Sequence, residues 1–182
     1  MIKAIVFDLG GVIYTIDFSK GDFFKNIREF WNKAKVSEID NDEFLNLCSE
    51  KLGTSVEEVK GFIWDNNDLV SELKDLVLEL KEKYKIGFLA NLVEEVYNSD
   101  ISLWNFEEAG ESVMSFKEKV KKPDFEAIDL TIEKLGVNKE EIIFIDDSGK
   151  TIETYSAHGV KCIRFDNKDQ LIEDLKKFGV EA

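Results

Sequence analysis

A doubly wound α/β fold, a parallel sheet carrying a small helical insert, is what the sequence predicts. Three observations carry it. Five apolar runs are too short for helices and too continuous for half-exposed strands: IKAIVF (2–7), KIGFLA (85–90), ESVMSF (111–116), EIIFID (141–146) and VKCIRF (160–165). Strands covered on both faces read this way. Helical periods separate the later runs, and alternation of that kind specifies right-handed crossovers in a parallel sheet. Residues 16–83 break the alternation and read as helical throughout.

Taken in order, the first strand ends in Asp8, followed by Gly10 and Gly11. The insert then opens with DFFKNIREFWNKA, where Phe23, Phe24, Ile27, Phe30, Trp31 and Ala34 fall at helical spacing. DNDEFLNLCSEKLG starts with a candidate capping box, Asp40 to Glu43, and stops at Gly53; TSVEEVKGFIW starts with another, Thr54 to Glu57. DLVSELKDLVLELKEKY is long enough to be the crossover helix back to the sheet. The boundaries expected are therefore a sheet domain of residues 1–15 and 69–182 and a helical insert of residues 16–68. Pro123 marks a turn before the next helix. In that helix Phe125, Ile128, Ile132 and Leu135 form one stripe closed by Gly136, and the last helix repeats the pattern with Leu171, Leu175 and Phe178 before Gly179.

Composition sets limits on partners. In 182 residues, 43% are hydrophobic, with 14 Phe and 3 Trp, enough for a sizeable core. A formal charge of −14 argues against nucleic acid and against an anionic membrane surface. No apolar stretch is long enough to span a membrane, and the N-terminus lacks a signal-peptide pattern, so a cytoplasmic location is expected. Cys48 and Cys162 lack paired spacing and read as small reduced core residues. Oligomeric state is left open. Trp31, Trp64 and Trp104 read as core, with one in the insert available to line a pocket.

In open α/β sheets, ligands bind beyond the carboxyl ends of the strands. There the chain delivers Asp8, Gly10 and Gly11; Ala90 and Asn91; Ser115 and a lysine-rich loop with Lys121 and Lys122; and Asp146, Asp147 and Ser148. Asp8 is accordingly expected exposed at the top of the sheet. Three carboxylates at one edge repel unless a cation lies between them, and an oxygen-only set suits Mg²⁺. The Asp146–Asp147 pair has a plain alternative as a helix N-terminal cap, and Lys122 as a solvated loop residue. Ser148 and Thr151 read as caps of the following helix. His158 reads as a helix-end histidine, and Asp17, at the start of the insert, as a candidate acid facing the site.

These motifs, FDLGGV, KKPD with Lys122, and FIDDSGKTI, resemble in order and placement the haloacid dehalogenase superfamily over essentially the whole chain. The insert after the first strand resembles that superfamily's small helical cap. The DLGGVI form is most similar to the branch of glucose-1-phosphate-type phosphatases and the phosphatase domain of soluble epoxide hydrolases. The resemblance implies a Rossmann-like core and a Mg²⁺-dependent phosphohydrolase of small phosphorylated metabolites. It implies Asp8 as the nucleophile that forms an aspartyl-phosphate. It implies Mg²⁺ held by Asp8, the Gly10 carbonyl and Asp147 with Asp146 nearby, and Lys122 neutralising the phosphoryl oxygens. Gly10, Gly11, Ala90 and Asn91 are the positions expected against the substrate.

Two departures weaken the match. The family's general acid stands two residues after the nucleophile, where this chain has Gly10, and the second motif's Ser or Thr is replaced by Ala90. Asn91 is the candidate substitute donor. Losing a general acid costs about 10²–10⁴ in rate, and losing one transition-state donor about 10²–10³. The competing reading is a weak or inactive member of the fold with a binding or regulatory role. A 2-haloacid dehalogenase is a third reading, and the Asp146–Asp147 pair counts against it.

Overall fold

The computed structural model describes residues 1–16 and 21–181. Asp17, the candidate acid at the start of the insert, lies outside the described residues. All five apolar runs form strands: β1 (Ala4–Phe7), β4 (Lys85–Ala90), β5 (Glu111–Met114), β6 (Ile142–Asp146) and β7 (Lys161–Arg164). They pair in parallel in the order β5-β4-β1-β6-β7. The chain runs outward from β1 through β4 and β5, then crosses back to β6 and β7. The strand order therefore reverses beside β1, which places the ligand crevice at the carboxyl ends of β1 and β6.

The apolar runs are continuous because both faces of the sheet are covered. Ile5 and Phe7 of β1 face one layer together with Phe88, Ile143 and Ile145, while Ala4 and Val6 face the other with Leu89 and Phe144. Against the first face pack α4 (Ser71–Lys81) through Leu73, Leu76, Val77 and Leu80, α5 (Glu94–Leu103) through Val96, and α9 (Lys168–Lys177) through Leu171 and Leu175. Against the second pack α7 (Phe125–Leu135) through Ala127, Ile128 and Leu135, and α8 (Gly149–Ala157) through Tyr155.

The stripe expected on α7 is rotated. Ala127 and Thr131 take buried places beside Ile128 and Leu135, while Phe125 is exposed and stacks on His158 at 4.0 Å. Phe178 at the end of α9 is likewise exposed, and Val180 enters the core instead. ESVMSF ends as a strand at Met114, and Ser115 opens the single turn α6 (Ser115–Glu118).

Residues 16–83 are not helical throughout. They contain α1 (Gly21–Ala34), α2 (Asn41–Leu52), α3 (Val56–Asp65) and α4, but β3 (Asn67–Leu69) pairs antiparallel with β2 (Tyr14–Ile16). This short ribbon joins the chain entering the helices to the chain leaving them. Asp40 caps α2 as expected, accepting from the Glu43 amide at 2.8 Å. The box on α3 falls one residue later than Thr54 and Glu57: Ser55 is the N-cap and Glu58 returns the bond to its amide. The helices α1–α3 have no core of their own, since Ile27, Phe44, Val59 and Ile63 belong to the same apolar cluster as Phe7 and Phe88.

Trp64 is an exposed residue rather than a core one; its indole N–H donates to Glu95 at 2.7 Å. Glu95 also accepts from Asn41 at 3.2 Å, so one buried carboxylate on α5 anchors both α2 and α3.

Candidate active site

Asp8 is buried, not exposed as its strand-end position suggests; only 7% of its surface is accessible. The reason is Lys122, itself 8% exposed. Its Nζ lies 2.7 Å from Asp8 Oδ1 and 2.6 Å from Asp146 Oδ2, bridging the ends of β1 and β6. Lys122 is therefore not a solvated loop residue. Asn91 fixes it, donating to the Lys122 carbonyl and accepting from the Lys122 amide, both at 2.8 Å. With its amide committed to that main chain, Asn91 positions the lysine.

Asp8 Oδ1 also accepts the Leu9 amide at 2.7 Å. Both bonds fall on Oδ1, so Oδ2 carries neither of them. Asp146 is fully buried and saturated differently: Oδ2 takes Lys122, and Oδ1 takes the Ser148 amide at 2.7 Å. Ser148 caps α8, accepting from the Thr151 amide. This turn presents Asp147, an exposed residue, toward the same point.

Electrostatics follow from burial. Desolvation raises the Asp8 pKa, opposed by Lys122 and reinforced by Asp146. Burial alone would lower the Lys122 pKa, but the two carboxylates against it hold it above its ordinary value. Asp147 is also raised, first by burial and then by Asp146. One lysine against three acids leaves a net negative corner.

Carboxylate oxygens of Asp8, Asp146 and Asp147 lie within 4.8 Å of one another, an oxygen-only set that could bind a hard divalent cation. Gly11 makes this possible. Its φ is +83°, and a Cβ there would stand 2.5 Å from Asp147 Oδ2, inside the space the carboxylate needs. Gly10 differs: a Cβ there meets nothing within 4 Å.

The three acids and Lys122 open onto a cavity of about 570 Å³, which Gly10, Gly11, Ala90 and Asn91 also line. All eight residues expected at the site thus border one space. Tyr14, Trp31, Asn67, Asp100 and Lys150 line it too, and the sequence reading passed over all of them except Trp31. One signal was available for Asp100: it sits four residues after Val96, an acid on the buried stripe of an amphipathic helix. Asn67 gave none.

Cys48 and Cys162 are free; burial pushes the Cys48 thiol up to about 12 and raises Cys162 as well, so both are inert thiols. His158 forms the end of α8, where its Nε2 lies 2.9 Å from Asp129 and 2.7 Å from Lys139. Neither cysteine nor the histidine borders the cavity.

The sheet order and the acid–lysine cluster at its switch point define a doubly wound α/β protein with a charged site at the carboxyl ends of β1 and β6. More particularly, the chain belongs to the haloacid dehalogenase-like hydrolases, whose family profile matches residues 2–159. The fold is similar to that of a HAD family enzyme from Bacteroides thetaiotaomicron, crystallised with magnesium and inorganic phosphate. That likeness has a TM-score of 0.81 and 23% identity, over 91% of this chain and 95% of the other. A predicted HAD-like family hydrolase from Porphyromonas gingivalis superposes with a TM-score of 0.84 at 21% identity, over the whole of both chains. The L-2-haloacid dehalogenase from Xanthobacter autotrophicus, with chloropropionic acid covalently bound, is more distant. Its TM-score is 0.65 at 16% identity, covering 100% of this chain and 85% of that one. Nothing among curated proteins matches the chain. Among the described residues, no helix is long and apolar enough to cross a membrane.

Proposed function

We propose that the protein is a Mg²⁺-dependent phosphohydrolase acting on a small phosphorylated metabolite through an aspartyl-phosphate on Asp8. The observation that carries this reading is the buried Asp8–Lys122–Asp146 bridge with Asp147 beside it. A purely structural strand end has no need of two acids held together by one buried lysine with a third acid beside them.

In this mechanism Lys122 holds Oδ1 of Asp8 in place and opposes the rise that burial gives its pKa; in the ionised form Oδ2 attacks phosphorus with its lone pair as the bond to the leaving oxygen breaks. Lys122 then stays within reach of the phosphoryl oxygens and offsets their charge. Water attacks phosphorus in the second step, releasing phosphate and regenerating Asp8. The donor set fits Mg²⁺; Asp8, the Gly10 carbonyl and Asp147 would hold it, with Asp146 nearby. When bound, it would supply Lewis-acid stabilisation of the phosphoryl group. That the relative from Bacteroides thetaiotaomicron was crystallised with magnesium and phosphate supports this assignment.

Residues 16–68 are read as the cap of this site. Trp31 and Asn67 bring side chains from that segment to the cavity wall, so part of the specificity lies there. The missing acid at position 10 favours substrates with good leaving groups, such as acyl or anomeric phosphates.

The test is turnover of an aryl phosphate with and without Mg²⁺. Wild type should require the metal, and Asp8→Asn should lower kcat by at least 10³-fold. Beryllium fluoride with Mg²⁺ should form an adduct on Asp8 visible by fluorine NMR. If Mg²⁺ binds but neither turnover nor adduct appears, Asp8 is no nucleophile and the reading fails.

A further inference from the structure

A second polar pair borders the cavity. Asn67 is 3% exposed and Asp100 1% exposed, yet both border the cavity. The Asn67 amide nitrogen donates to Asp100 Oδ1 at 2.6 Å and to Ser99 Oγ at 2.9 Å, so both of its hydrogens are used. Its carbonyl oxygen is buried with no hydrogen-bond partner among the described residues. Buried acceptors are almost always satisfied, and each exception asks for an explanation. Asp100 makes no ion pair among the described residues. The Tyr14 hydroxyl lies 3.0 Å from the backbone carbonyls of Asp100 and Trp104, which fixes this turn of α5. The pair is thus built rigidly, and among the described residues the Asn67 carbonyl oxygen is its acceptor without a donor.

We propose that Asn67 and Asp100 form a subsite that binds a hydrogen-bond donor, a hydroxyl or an ammonium group, on the part of the substrate beyond its phosphate. The proposal rests on the phosphate-ester reading of the cavity and adds what distinguishes one ester from another. Asn67 Oδ1 accepts from that group, and Asp100 flanks it. Asn67 leaves the insert on β3 while Asp100 stands on the sheet-side helix α5, so a bound donor also bridges these two parts of the chain. A site with a buried acceptor rejects an analogue that lacks the matching donor, because the acceptor is then left unpaired. Burial pushes the Asp100 carboxyl up to about 7, with the Asp8 charge adding and the Asn67 bond opposing. A cation or a hydroxyl placed there would relieve that cost.

The experiment is calorimetric titration in Mg²⁺ with three chain-matched probes: 3-hydroxypropyl, 3-aminopropyl and butyl phosphate. An Asp8→Asn background holds them unhydrolysed. One donor-bearing probe should bind at least tenfold more tightly than butyl phosphate, and which one it is separates the hydroxyl from the ammonium. Asn67→Ala in the same background should bring the ratio within twofold of unity while the affinity for inorganic phosphate stays unchanged. Should that variant fail to fold, Asp100→Ala carries the same expectation. Equal affinities for all three probes, or a preference that survives the substitution, overturns the proposal. Aryl phosphate turnover by wild type reports separately on the phosphohydrolase reading. Normal turnover with equal affinities removes only the subsite, and a donor preference without turnover removes only the chemistry.

Discussion

At the scale of single residues, Asp100 makes the pH dependence of stability testable. Its carboxyl is raised from 3.8 to about 7, chiefly by burial. The folded state therefore keeps a proton that the unfolded chain surrenders between about pH 4 and 7. Stability from this group is present below pH 4 and is lost as the pH rises through that window. Asp100→Asn cannot ionise and escapes the loss. Measured by urea unfolding in EDTA, the variant should match wild type near pH 4.5 and exceed it at pH 8 by on the order of 2 kcal/mol. Asp8 shares the direction of the shift, so only the difference between the two proteins counts. A constant difference across the range would show that Asp100 is ionised in the folded protein at every pH.

Gly10 supplies a second residue-scale prediction. Its backbone lies outside the left-handed region, and a Cβ there meets nothing within 4 Å, so a side chain can start from this position without backbone strain. Gly10→Asp should raise aryl phosphate kcat by tenfold or more if the site lacks only a proton donor. Unchanged kcat would mean that the leaving group does not pass position 10. Gly11 tolerates no such change, because its Cβ would displace Asp147. The two adjacent glycines are identical letters in the sequence, and only the fold tells them apart. The acids and Lys122 were legible because charged residues at strand ends stand out against apolar runs. The burial of Asp8 was not, since it depends on a lysine 114 positions away (122 − 8) whose own main chain Asn91 holds.

Among the elements, the parallel strands were legible because continuous apolar runs have one economical explanation. The ribbon of β2 and β3 was not, since each strand has three residues, Tyr14–Ile16 and Asn67–Leu69, and pairs with a partner more than fifty positions away. Periodicity needs more residues than that to show itself. The α7 stripe was misplaced for a different reason: Phe125 satisfies the helical period but finds His158 to stack on instead of the core. One element-scale constraint rests on Gly110, just before β5. A Cβ there would lie 2.1 Å from the Ile86 carbonyl oxygen, which is backbone and cannot swing away. Gly110→Ala should destabilise by about 3 kcal/mol, lowering Tm by roughly 10 °C in a chain of this size. A loss below about 1 kcal/mol would mean that β4 and β5 separate easily at that end.

For the whole molecule, charge and metal are linked. The chain carries a formal charge of −14, and in the negative corner of Asp8, Asp146 and Asp147 the cations among the described residues are Lys122, bonded to Asp8 and Asp146, and Arg164, whose charge acts on Asp147. The acids outnumber the cations bonded to them, and their mutual repulsion opposes folding until a further cation joins them. Any ion that binds the folded state stabilises it by mass action, about 2.7 kcal/mol at one hundred times its Kd. Mg²⁺ at that level should raise Tm by roughly 5–10 °C in thermal unfolding. Asp147→Asn leaves the Lys122 bridge intact and relieves one repulsion, so without metal it should melt no lower than wild type. It should also lose most of the Mg²⁺ response. Ca²⁺, which prefers more oxygen ligands and longer bonds, should give a smaller rise than Mg²⁺. A wild type indifferent to millimolar Mg²⁺, or an Asp147→Asn variant that responds as wild type does, would place no metal at this corner. Asp8 and Asp146 would then be held by Lys122 and the Leu9 and Ser148 amides, with no cation between them and Asp147.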